Sequence, residues 1–154
     1  MEAKKYLLDT NIITYLQEQS SLFHHPVKNR LSALNDEDQV YVSVFSFYEI
    51  EYGIAVSETG EMRETFALMK EAMRRDFPVL PFTEKGSEVF GILKVGYMKQ
   101  TGITKKAVKK HDIDFMLASS AIVKNAVMVT NDNIFEELKK LRPDFQLENW
   151  TETG

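Results

Sequence analysis

At 154 residues, with 27% charged side chains and no cysteine, the chain is sized for a single core, and disulfide frameworks and thiolate metal sites are excluded. No apolar run approaches the roughly 18 residues a membrane-spanning helix needs, and the polar opening is unlike a signal peptide, so a soluble, cytoplasmic protein with no membrane partner is expected. A formal net charge of −4 speaks against a general nucleic-acid binder, which meets phosphates with a basic surface.

Residues 5–8 form a short apolar run stopped by Asp9, the profile of a buried strand. Ile12, Ile13 and Leu16 give residues 12–17 helical spacing, and a His-His-Pro break at 24–26 precedes a second helix over 27–34. The β-branched stretch 40–44 predicts a second strand, and 46–56 returns to helix with Ile50, Gly53 and Ile54 on one face. A helix over 61–75 carries a Met62/Phe66/Met69/Met73 stripe, read as core or as a partner-binding groove. A third strand at 77–82 contains two prolines, and a long helix covers 84–101. Residues 114–124 predict an alanine-rich helix, 126–129 a fourth strand, 133–141 a helix and 146–150 a fifth strand. This alternation predicts the α/β class, as a three-layer α/β/α sandwich with a central, mostly parallel sheet of about five strands. With no repeat or linker, 1–154 reads as one domain.

In parallel sheets, ligands gather at the carboxyl ends of the strands. Asp9 directly follows the first strand, Glu49 sits early in the helix after the second, and Asp132 follows the fourth. Asp114 opens the helix that feeds the fourth strand, so all four acids are expected at one rim. Each also admits a purely structural reading. Asp9 ends a strand, Ser46 and Glu49 match a capping box, and Asp112, Asp114 or Asp132 suits a helix start. Those readings explain each acid singly and leave their shared edge unexplained. His24, His25 and His111 lack metal-pair spacing and read as surface residues.

Leu7-Leu-Asp-Thr-Asn-Ile12, Glu49-Ile-Glu-Tyr-Gly53, Asp114-Phe-Met-Leu-Ala-Ser-Ser-Ala121 and Val129-Thr-Asn-Asp132 with Phe135 follow one another in order along the chain. Together with Glu148-Asn-Trp150 near the end, they resemble the motifs of PIN-domain ribonucleases of the VapC toxin type. Asp112 competes with Asp114 for the third position, and register with the alanine-rich helix favours Asp114. Asp132 occupies a position that varies in such proteins. The resemblance implies a metal-dependent endoribonuclease whose catalytic metal ligands are Asp9, Glu49, Asp114 and Asp132, supported by Asn11 and Thr130. It further implies a PIN-like fold, inhibition of translation, a cognate antitoxin, a homodimer and an RNA substrate of the tRNA or rRNA class.

Oxygen-only ligands suit Mg²⁺ or Mn²⁺, and two such ions could serve an in-line attack at phosphorus. Four carboxylates match the net charge of −4, which two divalent ions would formally cancel. The stretch 103–111 holds Lys105, Lys106, Lys109 and Lys110 without an acid, as a phosphate grip or as an ordinary solvated loop. Two alternatives stay open. A haloacid-dehalogenase-like phosphatase shares the strand and aspartate, but needs an acid where Asn11 stands. A non-catalytic PIN scaffold binding RNA or protein would lack an acid, and none is missing.

Overall fold

A computed structural model describes residues 2–152; Met1, Thr153 and Gly154, the ends of the expected 1–154 span, lie outside the described residues. Strands β1 (Lys5–Leu8), β2 (Gln39–Ser43), β3 (Val79–Leu80), β4 (Val127–Val129) and β5 (Leu147–Glu148) form one sheet in the order β3-β2-β1-β4-β5. Every pairing is parallel. The helices are α1 (Thr10–Gln17), α2 (His24–Ser32), α3 (Val44–Val56), α4 (Gly60–Asp76), α5 (Glu84–Thr101), α6 (Lys105–Val108), α7 (Asp112–Lys124) and α8 (Ile134–Leu141).

Alternation along the strands creates two cores. Leu7 and Met128 pack under α5, α7 and α8 with Leu93, Phe115 and Phe135. Tyr6, Leu8, Val127 and Val129 face the other way, onto Ile12, Ile13, Met69, Met73 and Trp150. Helices therefore cover both faces, as the three-layer expectation requires, and strands buried on both faces read as continuous apolar runs. Helix α3 serves both cores, giving Phe45 to the first and Ile50 to the second. Gly53 on α3 lies against the Phe66 ring of α4, where an added Cβ would stand 2.9 Å from Phe66 Cζ. That close approach accounts for the glycine four residues after Glu49.

Several boundaries differ from expectation. Helix α2 begins at His24, so Pro26 lies in its first turn, where its missing N–H removes no intrahelical bond. His24 is buried, with Nδ1 3.0 Å from the Tyr15 carbonyl oxygen, which corrects its reading as a surface residue. Strand β3 shrinks to Val79–Leu80 because Pro78 and Pro81 cannot donate to a ladder; it survives at the sheet edge, where Val42 N–H donates to the Pro78 carbonyl. The capping box at Ser46 and Glu49 is also corrected. Helix α3 starts at Val44, and its cap is Ser43, whose hydroxyl accepts from Phe45 N–H at 3.0 Å. The lysine stretch is not a loop: Thr104 caps α6, and a 3-10 turn over Lys109–His111 leads into α7. In the methionine stripe Met69 and Met73 are core, while Met62 remains 54% exposed.

Candidate metal centre

Parallel pairing of β1 and β4 sets the floor of the site. Leu8 pairs with Val129, so the residues that follow, Asp9 and Thr130, emerge side by side at the carboxyl edge of the sheet. Asp9 N–H donates to the Val129 carbonyl at 2.9 Å. Both side chains are buried, and Thr130 Oγ1 donates to Asp9 Oδ2 at 2.8 Å. The other Asp9 oxygen accepts from Thr10 N–H at 2.8 Å, at the start of α1. Thr130 Oγ1 also accepts from Asp132 N–H at 3.0 Å, which folds the turn after β4 back toward Asp9.

Around this floor stand the other acids. Asp114, in the first turn of α7, is half-buried, while Glu49 and Asp132 are exposed. Thr10 Oγ1 donates to Glu49 Oε1 at 2.6 Å. Asp132 Oδ1 accepts from Ile134 N–H at 3.2 Å, so its reading as a helix-start residue holds beside any other role. His111 Nδ1 lies 3.4 Å from Asp114 Oδ2. Burial and the Lys110 charge hold His111 below its usual range, against the pull of Asp132.

Electrostatics tie the acids together. Burial pushes the Asp9 carboxyl up to about 7, with the charges of Asp114 and Glu49 adding to the rise and the Thr130 and Thr10 hydrogen bonds opposing it. Asp114 also rises to about 7, through burial first and then through Asp132 and Glu49. Asp114 thus lies within electrostatic reach of the other three acids, and Asp9 within reach of Asp114 and Glu49. Among the described residues, no three acids or histidines are yet drawn together tightly enough to hold a metal ion. Carboxylates without a countercharge repel, and here hydroxyls or a neighbouring imidazole engage Asp9, Glu49 and Asp114 separately. The donor set still fits a hard divalent cation: it offers oxygen ligands only, two of them, Asp9 and Asp114, raised to about 7 chiefly by burial.

Asp112 faces elsewhere. Its Oδ1 pairs with Lys94 Nζ of α5 at 2.8 Å. Asn11 is exposed on α1 and, among the described residues, makes no hydrogen bond to the acids. Lys105, Lys106, Lys109 and Lys110 are exposed on α6 and the 3-10 turn that feeds Asp114. Sequence reasoning missed Thr10, His111 and Lys94 as neighbours of the acids, and it set Ser46 against Glu49 as a cap, whereas the Ser46 hydroxyl meets Thr10. Thr10 alone carried a signal, as the residue after Asp9 in the first motif.

A PIN domain family model matches residues 6–141. Ribonuclease VapC2 of Rickettsia felis is 28% identical over 147 residues, covering 94% of this chain and 97% of that protein. The structure of VapBC2 from Rickettsia felis, bound to a DNA fragment from their promoter, is similar with a TM-score of 0.73 at 25% identity, covering 95% of this chain and 98% of the other. VapBC-1 from nontypeable Haemophilus influenzae gives a TM-score of 0.70 at 25% identity, over 96% and 99% of the two chains.

Proposed function

The chain belongs to the PIN-domain family, and on that premise we propose that it is a divalent-metal-dependent endoribonuclease, the toxin of a VapBC-type pair that inhibits translation. One observation carries the reading. Asp114, far from the others in sequence, is coupled to Asp9, Glu49 and Asp132 near the carboxyl edge of a parallel sheet, and burial first and these neighbouring acids second push Asp9 and Asp114 to about 7, which supports the four as the ligand set. Ribonuclease VapC2, 28% identical across nearly the whole length, supports RNA as substrate, with tRNA or rRNA as the proposed class.

In this reading the four acids hold Mg²⁺ or Mn²⁺, and 1–154 works as one catalytic domain. A bound cation would supply acidification of a water and compensation of charge on the leaving oxygen. The protein supplies the geometry. Thr130 and the Thr10 N–H orient Asp9 from two sides, and Asn11 is a supporting polar group beside it in sequence. Asp112, paired with Lys94, is the weaker candidate for the third ligand. The four lysines offer charge to phosphates flanking the cut.

The solved relatives are VapBC structures, which supports a cognate antitoxin as protein partner. Tyr48, Tyr52 and Val56 form an i, i+4, i+8 stripe on α3 with exposures of 67%, 71% and 54%; such an apolar stripe supports a homodimer through this helix. No helix among the described residues is long and apolar enough to cross a membrane, and a cysteine-free RNA-cutting protein suits the cytoplasm.

The test incubates purified protein with total cellular RNA and Mg²⁺ or Mn²⁺, with EDTA and Asp9→Asn as controls. Discrete cuts lost in both controls are expected. Intact RNA with protein shown to be metal-loaded overturns the reading. Removing both Lys109 and Lys110 as alanines should weaken RNA binding several-fold. It should also flatten the dependence of log affinity on log salt by about 1.4, at roughly 0.7 per single-strand phosphate contact. An unchanged slope places these lysines off the RNA path.

A further inference from the structure

Ser46 and Glu49 lie three residues apart on α3 and so share a face. Between them sits Thr10 Oγ1 of α1, 2.8 Å from Ser46 Oγ and 2.6 Å from Glu49 Oε1. Ser46 is fully buried, and among the described residues Thr10 is the hydrogen-bond partner of its hydroxyl. Each hydroxyl has one proton to give. The Thr10 hydroxyl donates to Glu49 Oε1, so its one proton is used there and Thr10 can only accept from Ser46. The direction of the chain is thereby fixed, from Ser46 through Thr10 to Glu49.

Building on the metal-dependent reading, we propose that Thr10, backed by Ser46, is a positioning residue that sets the Glu49 carboxylate for the cation. Glu49 is exposed, and a free glutamate loses rotamer freedom when one geometry is imposed on it. The Thr10 hydroxyl meets part of that cost before any cation arrives. It pins Oε1 through a charge-assisted bond, strengthened by the second hydroxyl behind it. Among the described residues, Oε2 makes no hydrogen bond, which leaves it for a ligand. Threonine adds stiffness, since its β-branched side chain restricts χ1.

The experiment titrates Mn²⁺ calorimetrically into metal-free wild-type, Thr10→Val, Thr10→Ser and Asp9→Asn proteins, without RNA. Thr10→Val keeps the shape and removes the hydroxyl; it should weaken Mn²⁺ binding about tenfold, the lower end for an outer-shell partner of a ligand. Thr10→Ser should recover to within about threefold of wild type, which a purely steric role for the threonine would not produce. Ser46→Ala, read in the same way, should lose about threefold and decides the matter if Thr10→Val does not fold. Wild-type affinity in both Thr10→Val and Ser46→Ala, with binding lost in Asp9→Asn, overturns the relay and leaves the nuclease reading standing. No Mn²⁺ binding by the wild type overturns both.

Discussion

Asp9→Asn is expected to abolish RNA cleavage and, in metal-free protein at pH 8, to raise the melting temperature by roughly 5–10 °C. The sign follows from the environment of Asp9. It is 5% exposed, and burial lifts its carboxyl from 3.8 to about 7. Below pH 3.8 both folded and unfolded chains hold the proton, and nothing is lost. As pH rises through the window from 3.8 to about 7, the unfolded chain ionises first, so folding stability falls; above that window it levels off. The whole difference corresponds to about 4 kcal/mol, shared in part with Asp114 because the two titrate together. Asparagine has no charge to desolvate, but its amide nitrogen cannot accept from Thr130, which costs about 1 kcal/mol. A net gain of about 2–3 kcal/mol remains. Thermal melts between pH 4 and pH 8 should show the curves nearly meeting at the acid end and separating toward the alkaline end. A lower melting point at pH 8 would make Asp9 a helix cap and nothing more.

How much of this is legible in the sequence depends on how local each feature is. β1 and β4 can be read because an uninterrupted apolar run closed by Asp9 or followed by Thr130 is what a strand buried on both faces requires. The expected span of β3 is too long because the two prolines that seem to bound a strand also remove its donors. The expected cap of α3 is misplaced by three residues, since Ser43 and Ser46 both precede an acid-containing helix and only the backbone at Ser43 is extended. That error carries a functional cost, because it gives Glu49 a structural role it does not have. Asp9 and Asp132 stand out as polar residues just after strands, and Glu49 and Asp114 as acids within α3 and α7. Their partners do not, because Thr10 meets Glu49 across 39 positions and Thr130 meets Asp9 across 121. Such contacts are fixed by sheet register, which no local pattern reports. The strand ending in Asp9 also fits a haloacid-dehalogenase-like phosphatase, and the family match over residues 6–141 decides against it.

The two acids in the first turn of α7 should separate cleanly by mutation. Residues two apart on a helix project about 200° from each other, so Asp112 and Asp114 cannot serve one site together. Asp112 is claimed by Lys94 at 2.8 Å, whereas Asp114 is raised to about 7 with Asp132 and Glu49 among the causes. Asp114→Asn is therefore expected to lower kcat/KM for RNA by about a thousandfold or more, about 4 kcal/mol of transition-state stabilisation. By the same sign argument as for Asp9, it should leave the metal-free protein at least as stable above about pH 7. Asp112→Asn should do the reverse. Cleavage should stay within about threefold of wild type, while stability falls by about 1 kcal/mol as the partly buried Lys94 ammonium loses its countercharge. Kinetics on one defined RNA, with melts of both variants, give the two readouts. Should Asp112→Asn be the inactive one, the third ligand moves one side of the helix over, toward α5. The lysines of α6 and the 3-10 turn would then flank a different opening.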